Sequence, residues 1–172
     1  MGGGDELFLN RWMRLKDEAR RPVTIAAETP DQPEISAFLA ASDAYSQSLY
    51  PPESNHLVDL GVLTATNAHF LVARRGGEAV GCGALITKGA SWGELKRMWV
   101  SPAVRGRGLG RRLVEAIEAE ARTRGIKTLR LETGIYQLEA IGLYRKCGFA
   151  EREPFGDYQP DPLSLFMEKQ LD

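Results

Sequence analysis

Between Val100 and Glu115 the chain reads VSPAVRGRGLGRRLVE, with glycines and arginines spaced to hold an oxyanion. Main-chain N–H groups in the first turn of a helix have no intrahelical acceptor and lie at the positive end of the helix dipole. Glycines at 106, 108 and 110 let such donors approach an anion with no Cβ between them. Arg105, Arg107, Arg111 and Arg112 add positive charge alongside. The implied chemistry is diphosphate binding. Two common diphosphate loops do not fit. A P-loop ends in Gly-Lys-Ser/Thr, whereas Gly110 is followed by Arg111-Arg112. A dinucleotide fingerprint needs G-x-G-x-x-G, and its third glycine would fall at 111, an arginine, although Glu132 stands about where a ribose-binding acid would.

What fits is Arg-x-x-Gly-x-Gly over Arg105, Gly108 and Gly110, behind a strand ending in Val100-x-Pro102. This pattern resembles the acetyl-CoA pyrophosphate loop of the GNAT superfamily of N-acetyltransferases. A second match lies at 137–149, QLEAIGLYRKCGF, which is similar to the family's later helix, Asn-x-x-Ala-x-x-Leu-Tyr followed by Gly-Phe. Ala140, Leu143, Tyr144 and Cys147 share a helical face there, and Gly148 supplies the stop. The family's frequent Asn is Gln137 here, one methylene longer. The likeness covers roughly residues 22–169.

The resemblance implies an N-acetyltransferase that moves an acetyl group from acetyl-CoA to a primary amine by direct attack, through a tetrahedral intermediate and with no metal. It implies a single α/β domain with a central mixed, mostly antiparallel sheet flanked by helices, its fourth and fifth strands splayed. Carried over residue by residue, the cosubstrate contacts are Met98, Trp99 and Val100 on the splayed strand, the loop Arg105, Gly106, Arg107, Gly108, Leu109, Gly110 and Arg111, and Gln137. Tyr144 is implied as proton donor to the departing sulfur.

Attack on a thioester needs a neutral amine. A lysine-like amine titrates near 10.4, so at pH 7 about one molecule in 2,500 is a nucleophile, a deficit of roughly 4.6 kcal/mol that a carboxylate base helps to recover. The resemblance implies Glu94 as the candidate base, since several family members place theirs at the start of this strand. It stands six residues before Val100, and strict strand alternation puts Glu94, Lys96, Met98 and Val100 on one face. The plain alternative is a surface glutamate paired to Lys96 or Arg97. Glu53 and His56, in YPPESNH (50–56), are rivals if the base sits on the acceptor side, whereas His69 begins a strand and reads as structural. By the resemblance, Tyr50, Glu53, His56, Glu132, Phe155 and Tyr158 line the acceptor pocket. That mix of acids and aromatics suits a small cationic amine or an amino acid, with a peptide amine also open.

The elements that must position these groups are legible from period and punctuation. Expected are strand Val23–Glu28, helices Pro33–Tyr50 and Ser54–Ala65, and strands Phe70–Arg74 and Glu78–Thr87 joined by a Gly76-Gly77 turn. Strand Glu94–Val100, helix Leu109–Arg124, strand Thr128–Thr133 and the Tyr144 helix follow, then strands near Phe149–Glu151 and Ser164–Lys169. Strands interleaved with helices make an α/β domain with a mixed sheet. Residues 1–21 read as an N-terminal arm, helical or disordered, and 22–172 as the catalytic domain.

Composition sets the outer bounds. A chain of 172 residues is one domain with a real core, and 43% apolar with 26% charged residues is ordinary for a globular protein. A net charge of −1 makes the arginine cluster local, against a general nucleic-acid binder. Cys82 and Cys147 stand in no ligand or redox spacing and read as small buried hydrophobes, and no 18-residue apolar run or leader is present. These features lead to an expectation of a cytoplasmic enzyme without membrane partners, with a homodimer possible. The alternative in another class is a catalytically silent CoA or acyl-CoA sensor that keeps the cradle.

Overall fold

The computed structural model describes residues 3–172. In chain order the elements are α1 (Gly3–Arg20), β1 (Val23–Ala27), α2 (Pro33–Leu49), α3 (Leu60–Thr64), β2 (Ala68–Arg75), β3 (Glu78–Thr87) and β4 (Trp92–Val100). Then come α4 (Leu109–Thr123), β5 (Thr128–Gly134), α5 (Leu138–Lys146), β6 (Ala150–Arg152) and β7 (Ser164–Gln170). The seven strands form one sheet in the order β1-β2-β3-β4-β5-β7-β6. Only β4 and β5 are parallel, as the intervening helix α4 requires.

Each sheet face buries its own apolar set. Leu109, Leu113, Ile117 and Ala121 recur every fourth residue of α4 and are buried, as the 3.6-residue period demands. With Tyr144 of α5 they cover Leu71, Leu85, Leu95, Leu129, Leu131 and Met167. On the opposite face Ile35 and Leu39 of α2 and Leu63 of α3 pack on Phe70, Val72, Cys82, Ala84 and Ile86. The β2–β3 hairpin turns at Gly76 and Gly77, whose φ values of 59° and 91° are those of a two-residue turn matched to strand twist. Helix α1 stands apart from both layers: Leu7, Phe8, Leu9, Trp12, Met13 and Leu15 are all exposed.

Two segments depart from the sequence expectation. The helix expected over 54–65 is a single 3₁₀ turn at Pro52–Ser54, an extended stretch, and the five-residue α3. Asn55 Nδ2 donates to the carbonyls of Tyr50 and Pro51, and Asp59 caps α3 through Val62 N at 3.0 Å, so local side-chain bonds outcompete a continuous helix. Strand β4 is also not regular. Its register against β3 slips between Cys82 and Ala84, and Arg97 takes φ +57°, rare for a residue with a Cβ. The bulge reverses the alternation beyond it. Glu94 and Lys96 lie on the α2 face, but Met98 and Val100 pack with Val104, Leu109 and Leu113 on the α4 face. The four residues therefore do not share a face.

Candidate active site

The parallel ladder between β4 and β5 ends at Leu95↔Leu131, although β4 runs on to Val100 and β5 to Gly134. Past that point the strands diverge, and the edge of Lys96–Val100 that faces β5 has no strand partner. A crevice of about 110 Å³ opens in the gap, lined among others by Lys96, Met98, Trp99, Glu132, Gln137 and Tyr144. Val100, just past the lining residues, packs beside Val104 and Leu109.

The glycine loop follows Val100 and leads into α4. Gly106 and Gly108 adopt φ +76° and +77°, and nothing lies within 4 Å of a Cβ built on either, so backbone conformation rather than crowding selects glycine. Gly108 is the N-cap of α4, and Arg112 N is the first amide to find an intrahelical acceptor, Gly108 O at 3.1 Å. The amides of Leu109, Gly110 and Arg111 are thus the open donors of the helix terminus. Gly110 has a different reason to be glycine: a Cβ there would meet Leu143 Cδ2 of α5 at 2.9 Å. Most of the neighbouring arginines are engaged. Arg105 Nε donates to Val100 O at 3.0 Å while its guanidinium lies 4.8 Å from the Trp99 ring; Arg111 pairs with Glu115; Arg112 reaches Val23 O. Arg107 is exposed with no such partner among the described residues.

Tyr144 projects from α5 into the other side of the crevice and is 6% exposed. Burial, with smaller contributions from Cys147 and Glu132, pushes its phenol above the ordinary tyrosine range, so it carries its proton at any physiological pH. Gln137 caps α5 and lines the same crevice. The turn before it is fixed by Tyr50, whose hydroxyl accepts from Tyr136 N at 2.9 Å and whose ring stacks on Tyr136 at 5.6 Å. Gly134 must be glycine here, because a Cβ would fall 2.1 Å from the Tyr50 hydroxyl. Tyr50 therefore supports the site from below and lines neither cavity.

Glu94 is at the centre of a buried polar cluster. Its carboxylate is 4% exposed and accepts from the Tyr158 hydroxyl at 2.5 Å. Lys96 Nζ donates to that hydroxyl oxygen at 2.6 Å and to His56 O at 3.1 Å, and lies 3.5 Å from Glu94 Oε1. Lys88 Nζ approaches the other oxygen at 3.8 Å. Burial and the adjoining Glu94 charge drive the Tyr158 pKa far up, so its proton is fixed. Glu94 lines neither cavity, and Tyr158 covers it on the side of the larger one. The carboxylate that does reach the crevice is Glu132, held by Ser164 Oγ at 2.7 Å. Burial raises its pKa, against the opposing pull of the Ser164 bond and of Lys96 and His56.

A larger cavity of about 600 Å³ lies beyond His56, lined by Glu53, Asp157, Tyr158 and Asp161 among loop prolines. His56 borders both cavities, its ring edge-on to Tyr158 at 5.3 Å. Its Nε2 is buried without a hydrogen bond, 3.7 Å from Asp161 Oδ2. Phe155 is under this wall, against Trp92, Tyr158 and Phe166, and faces neither cavity. The structure thus unites Met98, Trp99, Gln137, Glu132, His56 and Tyr144 around one gap and gives Tyr50 and Phe155 supporting places. Sequence reasoning missed Asp157 and Asp161, whose loop carries no periodic signal, and the Arg97–Asp43 pair (2.5 Å), which joins the bulge to α2 across 54 residues.

The sequence matches the family described as Acetyltransferase (GNAT) over residues 13–149. It is 56% identical over 150 residues to an IAA acetyltransferase of Azospirillum brasilense, covering 87% of this chain and 98% of that one. An uncharacterized N-acetyltransferase of Bacillus subtilis strain 168 is 41% identical over 123 residues, 70% of this chain and 82% of the relative. Among solved structures, a Klebsiella pneumoniae protein provisionally named an acyl-CoA N-acyltransferase superposes with a TM-score of 0.75 at 42% identity, over 87% of this chain and 98% of that one. A splayed seven-strand sheet, a glycine-capped helix terminus at the splay and these similarities agree, and the chain belongs to the GNAT family of acetyltransferases.

Proposed function

We propose that the protein is an acetyl-CoA-dependent N-acetyltransferase whose acceptor is a small cationic primary amine. The observation that carries this reading is one arrangement: the unpaired edge of β4 beyond Leu95 and the Tyr144 phenol share a crevice, and the open amides of α4 follow that strand after a short glycine loop. These groups suit the three parts of acetyl-CoA. The helix terminus receives the diphosphate, the free strand edge pairs with the pantetheine amides, and Tyr144 faces the sulfur. The bound thioester supplies the acetyl group. The chain's own residues hold it, exclude water through Met98 and Trp99, present a main-chain N–H to the carbonyl oxygen, and keep a proton on Tyr144 for the leaving thiolate.

Glu53, Asp157 and Asp161 around the larger cavity favour a cation there. Two relatives are named for nitrogen acceptors, an aminoglycoside N(6')-acetyltransferase of Stenotrophomonas maltophilia and an aminoalkylphosphonate N-acetyltransferase of Salmonella typhimurium. An acetyltransferase from Elizabethkingia anophelis with this fold holds acetyl-CoA, with a TM-score of 0.62 at 19% identity. The test is thiol release from acetyl-CoA with spermidine, tyramine, lysine and glutamate as acceptors. Turnover that favours the cationic amines supports the reading. Tight CoA binding with no thiol release on any acceptor would instead identify a silent CoA sensor, and a preference for glutamate would overturn the cationic class.

A further inference from the structure

Resting on the amine-acetylating reading above, we infer that Glu132, rather than Glu94, is the group that takes the proton from the acceptor ammonium. Access separates the two carboxylates. Glu94 has one oxygen occupied by the Tyr158 hydroxyl and the other near Lys88, and its side chain is 4% exposed. An ammonium in the larger cavity meets Tyr158 before it meets Glu94, and one in the crevice meets Lys96. The Tyr158 oxygen already accepts from Lys96, so a relay through it to Glu94 competes with that bond.

Glu132 occupies the position that Glu94 lacks. It projects from β5 into the gap where β4 has peeled away, on the wall shared with Tyr144 and Met98. Ser164 Oγ donates to Oε1 and fixes the carboxylate orientation, leaving Oε2 without a recorded donor among the described residues. The groups that face it come from every neighbouring element: Lys96 and Glu94 from β4, His56 from the segment before α3, Tyr50 from the end of α2, Tyr144 from α5 and Tyr158 from the β6–β7 connection. Burial raises its pKa and makes it a stronger base than a surface carboxylate, with the Ser164 bond and then Lys96 pulling the other way. The Glu94–Tyr158–Lys96 cluster then has a positioning role behind it.

The ammonium N–H proton passes to Glu132 Oε2, the freed nitrogen lone pair forms the C–N bond to the thioester carbonyl carbon, and the C–S pair leaves on sulfur. Tyr144 protonates that sulfur, the second surplus N–H proton of the acylated nitrogen passes by way of solvent to the tyrosinate, and the Glu132 carboxylic acid releases its proton to solvent, leaving neutral amide, free thiol and one proton per turnover.

The test is a pH–rate profile of kcat/KM for the parent, Glu132→Gln, Glu132→Asp and Glu94→Gln, using whichever amine of the panel above turns over best. Gln keeps the side-chain volume and an acceptor for Ser164 Oγ, and calorimetric CoA affinity monitors the cosubstrate site. Glu132→Gln should lower the rate about 10²-fold near neutrality, with the deficit shrinking toward pH 10 as free amine becomes abundant. Glu132→Asp should keep the acidic limb at a reduced rate, and Glu94→Gln should lower the rate by a factor that does not change with pH. A constant ratio for Glu132→Gln, or a deficit that shrinks with pH for Glu94→Gln alone, overturns the inference while leaving amine acetylation in place. Absence of parent turnover on every amine removes the underlying reading and the inference with it.

Discussion

The Tyr158 hydroxyl donates to Glu94 at 2.5 Å while accepting from Lys96 at 2.6 Å, so one phenol separates a buried acid from a buried base on the same strand. Without it, Glu94 and Lys96 face each other across 3.5 Å with the carboxylate short of a donor. Tyr158→Phe should cost about 1–3 kcal/mol of stability, the scale of a lost hydrogen bond to a buried charged group. Urea denaturation followed by tryptophan fluorescence measures it. An unchanged midpoint would mean that water replaces the hydroxyl freely.

The three loop glycines separate by cause. Gly108→Asp adds a Cβ at φ +77° and a negative charge at the helix terminus, so calorimetric acetyl-CoA affinity should fall at least tenfold. Gly110→Ala should act on the fold instead, because Leu143 Cδ2 would be 2.9 Å away, and it should lower the thermal midpoint with a smaller change in affinity. Equal effects of the two on binding would remove this division.

Tyr144→Phe deletes a hydroxyl that burial keeps protonated. Thiol release should slow by about 10²-fold at unchanged cosubstrate affinity, the usual scale for a lost general acid. Single-turnover rates check it, and an unchanged chemical step would reduce Tyr144 to a packing residue.

Arg97 is a strained residue held by its partners. Its guanidinium, 5% exposed, pairs with Asp43 and donates to Leu39 O, while its backbone sits at φ +57°. A left-handed conformation costs roughly 1–2 kcal/mol for a residue with a Cβ, and glycine escapes that cost. Arg97→Gly should therefore retain more activity than Arg97→Ala, even though both lose the ion pair. Matched kcat values at matched stability would show that the side chain, and not the bulge, is what matters.

Acid should destabilise the sheet edge before the site. An Arg74 hydrogen bond holds Glu28 below its ordinary 4.5 against the opposing effect of burial, and the Ala79 amide, then Arg74, do the same for Glu34. With folded pKa values depressed, this stabilisation is complete above about pH 4.5 and is lost as pH falls through the lower folded values. Glu132 has the opposite sign. Its raised folded pKa gives stability that is present below the unfolded value and lost as pH rises through the folded one. Glu132→Gln should accordingly raise the denaturation midpoint at pH 7, whereas Arg74→Met should flatten the fall below pH 4.5.

The order of strands and helices was legible because period and punctuation are local: α4 announces itself in Leu109, Leu113, Ile117 and Ala121, and the hairpin in Gly76-Gly77. The glycine loop and the Tyr144 helix were legible for the same reason. The bulge at Arg97 was not, since the salt link to Asp43 that holds it forms only once α2 has packed on the sheet. Nor could spacing reveal that Tyr158 would stand in front of Glu94, 64 residues away. Long-range contacts decided which of several acids faces the crevice.

The contact between Gly110 and Leu143 ties the start of α4 to α5, so the two recognisable sequence signatures of this chain are halves of a single joint. On the proposed reading they are opposite jaws of one clamp, and this packing keeps them from drifting apart independently. A chimera that imports one jaw from a relative will gape or jam unless it also imports the matching residue at 110 or 143. Transplanting both together should preserve the grip on the cosubstrate while leaving the acceptor loops free to vary.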